Sequence, residues 1–334
     1  NGGGAIRLTV SGTTTLNGVM AADGTNLQDQ ASGGGAGGSV FLTTSNLIGN
    51  GSISASGGPG SANNGPNGSG GGGRVAVILT GSDSFGNVAL SAYGGAYDIY
   101  NGAAGTIYLQ KGSDTPGRGH LIVNNNDRTA YLFQATDLNG TSSVSHAFST
   151  LTLTNAGVLG IGPDDTLDVS GTAVRPDPTD MNDGIRLRGG RLLTDPAFGI
   201  GDSYLAIDSA GSRFSPGASF TVGSGAEFVV NQPHQMTTDV VVASGGLMRH
   251  DQNLSTEAFK IDLSVQGNLT VQSGGAVNVD GLGYYLRTGP GAPTSHRVGG
   301  SHGGGGGRSS NGDSGIPGPT YGAILAPTNI GGAG

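Results

Sequence analysis

The chain has no cysteine and no tryptophan, and Lys111 and Lys260 are its only two lysines among 334 residues. Without cysteine the chain has no thiol redox chemistry, although the compartment stays open, because disulfide-free proteins occur on both sides of a membrane. Charged residues make up 11% of the chain, against about 25% in ordinary soluble domains. The net charge of −8 lacks the basic footprint that a nucleic-acid partner needs. No apolar run approaches the roughly 18 residues of a membrane span. No segment carries a helical period over about ten residues with caps. Proline is also modest, at 14 residues, and with no strict three-residue glycine period a collagen helix is excluded. Disordered chains are usually charge-rich and poor in β-branched residues. This one is charge-poor and carries Val, Ile, Leu and Thr in alternating runs, so it reads as folded.

What the chain has instead is glycine, 68 residues or roughly one in five, where about 7% is ordinary. The glycine recurs at one phase of a repeat. GGGAIRL (2–8), GGGAGGSVFL (33–42), GGGGRVAVIL (70–79) and GAAGTIYL (102–109) each pair a glycine run with an alternating strand. The strands begin at Ile6, Val40, Val75 and Ile107, at spacings of 34, 35 and 32 residues. The first three units continue into a polar turn, a second strand and a small-residue turn (TTTLNGVMAADG, TSNLIGNGSISASGG and TGSDSFGNVALSAYGG). Alternation of period two puts Ile6, Leu8 and Val10, Val40 and Leu42, and Val75, Val77 and Leu79 on one buried face. From about 113 to 285 glycine thins out, but short strands keep the rhythm in LTLTNAGVLGIGPDDTLDVSG (151–171), FTVGSGAEFVV (220–230) and LSVQGNLTVQSGGAVNVDG (263–281).

The expected fold is all-β: one continuous parallel β-solenoid over 1–334, with long glycine-rich loops and about 20–35 residues per coil. It divides into glycine-rich repeats (1–112), less glycine-rich coils (113–285) and a glycine-rich tail (286–334). Corners of a solenoid need positive φ, which glycine supplies. Runs such as Gly70 to Gly73 exceed that need, so neighbouring loops are expected to pack backbone on backbone and pair through their amides.

The residues GGGAGGSVFL, GSISASGG and GGGGRVAVIL, with GGSHGGGGGR and YGAILAP in the tail, resemble the glycine-rich parallel β-helix repeats of bacterial surface proteins, including filamentous-haemagglutinin-like adhesins. The likeness covers roughly 1–112 and 260–334. It implies an extracellular or cell-surface location and a structural or adhesive role, and it carries over no catalytic residue.

Candidate chemical sites are few. Asp164, Asp165, Asp168, Asp177, Asp180 and Asp183 cluster within twenty residues. Such carboxylates suit calcium, with Asp177, Asp180 and Asp183 as the candidate ligands. Their spacing matches neither an EF-hand nor a nonapeptide calcium repeat, so solvated turn aspartates are the preferred reading and no cofactor is expected. Arg186, Arg188 and Arg191 stand near this cluster; Arg186 and Arg188 share a strand face and are expected to pair with aspartates. His296 and His302 lack a fixed third ligand. Sequons occur at Asn50, Asn67, Asn139, Asn253 and Asn268. Tyr93, Tyr97, Tyr100, Tyr284 and Tyr285 are candidate platforms for sugar rings. The Thr13/Thr15 and Thr152/Thr154 pairs are too few to make an ice-binding rank.

Placed before the head NGGGAIRL, the tail GGAG reproduces the internal GGGAGGSVFL. This predicts that one unit's end and another's start complete a glycine loop. The interface would use Gly2, Gly3, Gly4, Ile6 and Leu8 at one end and Ile330, Gly331, Gly332 and Gly334 at the other. The function expected is therefore a structural one, a non-enzymatic filament subunit that pairs with copies of itself. The alternatives are an adhesin stalk or carbohydrate-binding β-helix with an extracellular polysaccharide partner, and a polysaccharide lyase or hydrolase.

Overall fold

The computed structural model describes residues 1–26, 32–61, 67–131, 134–138, 145–169, 173–176, 182–194, 198–308 and 315–334. Among them there is no α-helix, and the strands form several mostly parallel sheets. In the glycine-rich region β1 (Ala5–Thr15), β3 (Ser39–Ile48), β5 (Arg74–Leu79) and β7 (Thr106–Gln110) lie side by side in parallel. Ile6 pairs with Val40, Val40 with Val75 and Val75 with Ile107, the register that the repeat predicts. Behind them β2 (Val19–Ala21), β4 (Ser52–Ser54) and β6 (Ala89–Ser91) form a second parallel sheet. Val40, Leu42, Leu47, Ile53, Val75, Val77 and Leu79 fill the space between the two sheets, each at most 1% exposed. The alternating pattern thus becomes a core by period-two geometry alone.

The glycine runs close each unit as a layer of backbone without side chains. Gly38, Gly73 and Gly105 donate to the carbonyls of Ala22, Ala55 and Ala92, which lie in the small-residue turns. Gly3, Gly37 and Gly72 donate to Ala36, Gly71 and Ala103 one unit on. Further along, Gly35 donates to Thr25, Gly58 to Gly35, Gly70 to Gly58 and Gly95 to Gly70. The bonds run between segments and not within one, and the same neighbour is met at every third residue (Gly34 and Gly37 on one side, Gly35 and Gly38 on another), the period of a polyproline-II type helix. These glycines are not in the left-handed φ region. The positive-φ explanation therefore fails for them, and close approach of backbones is what excludes a side chain. Positive φ does serve at ordinary corners in the second half, where Gly225, Gly245 and Gly274 stack through Gly225 N–H to Gly245 O and Gly245 N–H to Gly274 O.

In the second half the strands fall into four groups. The first sheet continues with β8 (His120–Asn124), β11 (Thr150–Thr154) and β14 (Ala173–Pro176). A long sheet holds β9 (Thr136–Asp137), β12 (Val158–Ile161), β15 (Gly184–Leu187), β17 (Tyr204–Ile207), β20 (Glu227–Val230), β23 (Leu247–Arg249) and β26 (Ala276–Val277). A third face holds β10 (Ser145–Ala147), β13 (Thr166–Asp168), β16 (Arg191–Leu193) and β18 (Arg213–Phe214), with β21 (His234–Met236) and β24 (Leu263–Val265) paired separately. The last small sheet is β19 (Phe220–Val222), β22 (Val240–Val242) and β25 (Leu269–Val271). Phe214, Phe220 and Phe228 stack edge to face along this core, with centroids 5.0 and 5.2 Å apart.

One pair departs from the parallel expectation. β7 and β8 are antiparallel, so in this sheet β1, β3, β5 and β7 run opposite to β8, β11 and β14. The reversal lies in Thr115-Pro116-Gly117-Arg118, where Arg118 N–H bonds to Thr115 O and Gly117 has φ of +80°. Proline at the second position and a positive-φ glycine at the third are the requirements of a type II turn. Tyr108 Oη accepts from Gly119 N–H and Gln110 Oε1 from Gly117 N–H, which pins the turn to β7. The tail beyond residue 285 has no strand among its described residues, but it too packs backbone on backbone, with Ser301 N–H bonded to Gly291 O and Gly299 N–H to Gly307 O.

Candidate assembly surfaces

At one end of the strand stack β1 pairs only with β3, and β2 only with β4. The outer backbone edges of both are open among the described residues. β1 is eleven residues long and holds one charge, Arg7, with neither lysine nor proline. Natural edge strands are usually blunted by lysine, proline, bulges or short length. This one has a register shift between Val10 and Thr13 but none of the others. Ile6 and Val10 lean on the core, while Leu8 is 39% and Val19 70% exposed.

Gly4 is the informative residue here. It heads the column Gly4, Gly38, Gly73, Gly105. A Cβ built on Gly38 would fall on Gly4 O, one on Gly73 on Gly38 O, and one on Gly105 on Gly73 O. On Gly4 it would meet nothing within 4 Å. Three members of the column are glycine because a neighbouring carbonyl occupies the side-chain position, and the first is glycine with that position empty.

At the other end β24, β25 and β26 are the last members of their sheets. Leu269, Val271, Val277 and Val279 are each 43–50% exposed there. The predicted tail residues lie nearby: Gly331 O accepts from Tyr284 N–H, Ile330 O from the Tyr321 hydroxyl, and Gly332 O lies where a side chain on Gly300 would go. A side chain on Gly334 would come within 3.0 Å of Gly300 N, whereas one on Gly331 would meet nothing. The Gly2 to Gly4 group thus lies beside the open edges of β1 and β2, and the tail group packs on the segment that follows β26.

The other candidates fare differently. Asp177, Asp180 and Asn139 lie outside the described residues. Asp183 is fully buried, and its Oδ1 accepts from Gly157 N–H at 2.7 Å, which ties it to a backbone corner. No cluster of three or more metal-ligating side chains occurs among the described residues. Asn253 is corrected as a glycan acceptor: it is buried, its Nδ2 donates to Phe259 O and Leu282 O, and its Oδ1 accepts from Ala258 and Phe259 N–H. Asn50 and Asn268 are exposed and Asn67 is half-buried. His302 packs edge-on against Tyr321, and His296 lies apart on the surface. Of the tyrosines, Tyr100 pairs with Tyr131 at 4.7 Å beside a groove of about 500 Å³ that Arg74, Asn101 and Gln134 also line.

Arg188 reaches Asp137 at 3.5 Å, and Arg186 does find aspartates, in a buried network that the sequence reading did not foresee. Its Nε donates to Asp208 Oδ2 and its Nη2 to Asp251 Oδ2, both at 2.6 Å. Asn231 donates to both carboxylates, at 2.7 and 2.9 Å. Arg249 joins Glu227 at 2.8 Å and Asp251 at 2.9 Å. Burial works against each charge, but Asp208 and Asp251 raise the Arg186 affinity for its proton, and Arg186 holds the Asp251 carboxyl below the ordinary carboxylate range. Burial also pushes the hydroxyl of Tyr204, over which the Arg186 guanidinium sits at 5.7 Å, upward. The partners come from neighbouring strands and the residues that follow them, so the arrangement ties β15, β17, β20 and β23 together, with Asp208, Glu227 and Arg249 partly exposed at its margin.

No protein-family model, curated protein or solved structure matches this chain.

Proposed function

We propose that this chain is the structural subunit of an extracellular filament, a parallel β-solenoid that stacks end to end with further copies of itself. The observation that carries the reading is the empty side-chain position at Gly4, above a column in which each other glycine is required by a neighbouring backbone. A second copy's glycine layer would fill it, and the open edges of β1 and β2 would meet those of β24 to β26. Two different patches meeting head to tail without closing give a fibre. The unprotected edges and exposed Leu8, Val19, Leu269 and Val271 support the same reading.

The test is electron microscopy of purified protein, with Gly4→Val and Leu8→Lys beside the wild type. Wild type should form long uniform fibres that persist on dilution. Both variants should remain short rods with unchanged circular dichroism. Gly4→Val should also keep its thermal midpoint, because a Cβ there meets nothing within 4 Å, whereas Leu8→Lys, beside Leu42 in the register of β1 and β3, should melt somewhat lower. Isolated rods from wild type, or fibres from both variants, would sink the proposal.

A further inference from the structure

The third face of the second half carries two arginines that the buried network does not use. β16 and β18 are neighbours in register, Arg191 opposite Arg213 and Leu192 opposite Phe214. Leu192 and Phe214 are buried at 1% each, so alternation turns both arginines outward on adjacent strands. Strands lie about 4.8 Å apart, which sets the two cations side by side. Like charges directly opposite one another destabilise a sheet. This chain has only 15 cationic residues for 334 positions. Neither arginine makes an ion pair among the described residues.

The contrast with the buried ladder is direct. There Asp208, Asn231 and Asp251 occupy equivalent positions in three successive units, and Asn231 is bonded to both carboxylates. On the third face nothing separates Arg191 from Arg213. The sheet is interrupted at that point: β18 ends one sheet, while β21 pairs only with β24. The gap forms an open groove of about 720 Å³, walled by both arginines on one side and by His234, Gln235 and Asp262 on the other, with Ser215 between. His234 Nε2 faces Phe214 O at 3.1 Å across it. A second groove of about 280 Å³ runs along the far side of the same two arginines, past Asp164 and Thr166. The arginine pair is therefore a ridge approached from both sides.

We propose that this ridge and groove bind an acidic polysaccharide of the uronate class. Two guanidinium forks take carboxylates of successive sugars in bidentate pairs. The amide of Gln235, the hydroxyl of Ser215 and the carboxylate of Asp262 bond ring hydroxyls. A uronan carries one carboxylate per sugar and many hydroxyls, which suits two adjacent cations beside hydroxyl, amide and carboxylate groups that accept from or donate to sugar hydroxyls. Nucleic acid suits the site less, because the chain's net charge of −8 opposes a dense phosphate polymer and Phe214 is turned into the core, away from any base. The inference is independent of end-to-end assembly, since the ridge lies on the side of the stack.

The experiment measures depletion of wild-type protein by polygalacturonate-coated beads, with dextran-coated beads as the neutral control. Polygalacturonate beads should deplete the protein at low salt and dextran beads should not. The double variant Arg191→Ser with Arg213→Ser should bind roughly tenfold or more weakly, by loss of two charge-assisted pairs. Its thermal midpoint should be equal or higher, because a like-charge contact has gone. Equal depletion by both beads, or undiminished binding by the variant, would overturn the proposal. So would retention of inorganic sulfate alone, which marks an adventitious ion only, or capture of a single-stranded oligonucleotide in preference to the uronan.

Discussion

In the run Gly70 to Gly73, alanine should be accepted at Gly71 and at none of the other three. A Cβ on Gly70 would fall on Gly35 O, one on Gly72 on Ala92 O, and one on Gly73 on Gly38 O. On Gly71 the nearest atom would be Ala103 O at 3.8 Å, ordinary van der Waals contact. Backbone carbonyls that are hydrogen-bonded across the layer cannot swing aside as a flexible side chain would. Gly73→Ala should therefore cost about 3 kcal/mol or more, at the upper end of overpacking effects. Gly71→Ala should be neutral, or stabilising by about 0.4–1 kcal/mol through lost freedom in the unfolded chain. Denaturant midpoints of the four single variants provide the check, and a uniform response across the run would contradict the ordered layer. The repeat already contains the experiment: the residues equivalent to Gly71 are Gly2, Ala36 and Ala103, two of the three alanine, whereas the Gly73 phase is glycine in all four units. The phase of Gly72 becomes alanine only at Ala104, in the last unit before the hairpin.

That pattern shows how far the fold could be read from the chain. The strand register from Ile6 to Ile107 was legible, because period-two apolar runs and glycine runs recur together at nearly constant spacing. Packed glycine layers followed from the excess of glycine over any corner's requirement. The reason assigned to single glycines was not legible, since close approach and positive φ select the same residue. The reversal between β7 and β8 was carried by Thr115-Pro116-Gly117, a type II turn signal that a search for two-residue Asn-Gly hairpins passes over. Gly4 could be nominated for a joint by splicing tail to head, but its empty side-chain position is visible only when the column beneath it is seen. Arg191 was named beside the aspartate cluster, but its pairing with Arg213 escaped notice because units in the second half vary in length. Without a fixed period, residues 22 positions apart do not present themselves as neighbours.

The same irregular spacing hid the Arg186 network, whose disruption should be the most damaging side-chain change in the second half. Arg186 is 4% and Asp251 1% exposed, so each charge is tolerated only because the other is present. Replacing a buried pair entirely by apolar groups is often harmless, whereas removing one partner strands the other. Arg186→Met should accordingly cost about 3–5 kcal/mol, since Asp208 and Asp251 would be left facing each other across Asn231. Asp251→Asn should cost much less, because Arg186 keeps Asp208 and Arg249 keeps Glu227. The two variants also separate in acid. A carboxyl held low in the folded state adds stability above its unfolded value of about 3.9 and gives it up as pH falls through the lower folded value. Wild type should hold its stability to about pH 4 and lose it below, while Asp251→Asn shows a shallower fall over the same range. Denaturant titrations from pH 7 to pH 2.5 would establish this. If Arg186→Met unfolds with wild type, or Asp251→Asn shows the same acid slope, the cluster is not what holds β15, β17, β20 and β23 in register.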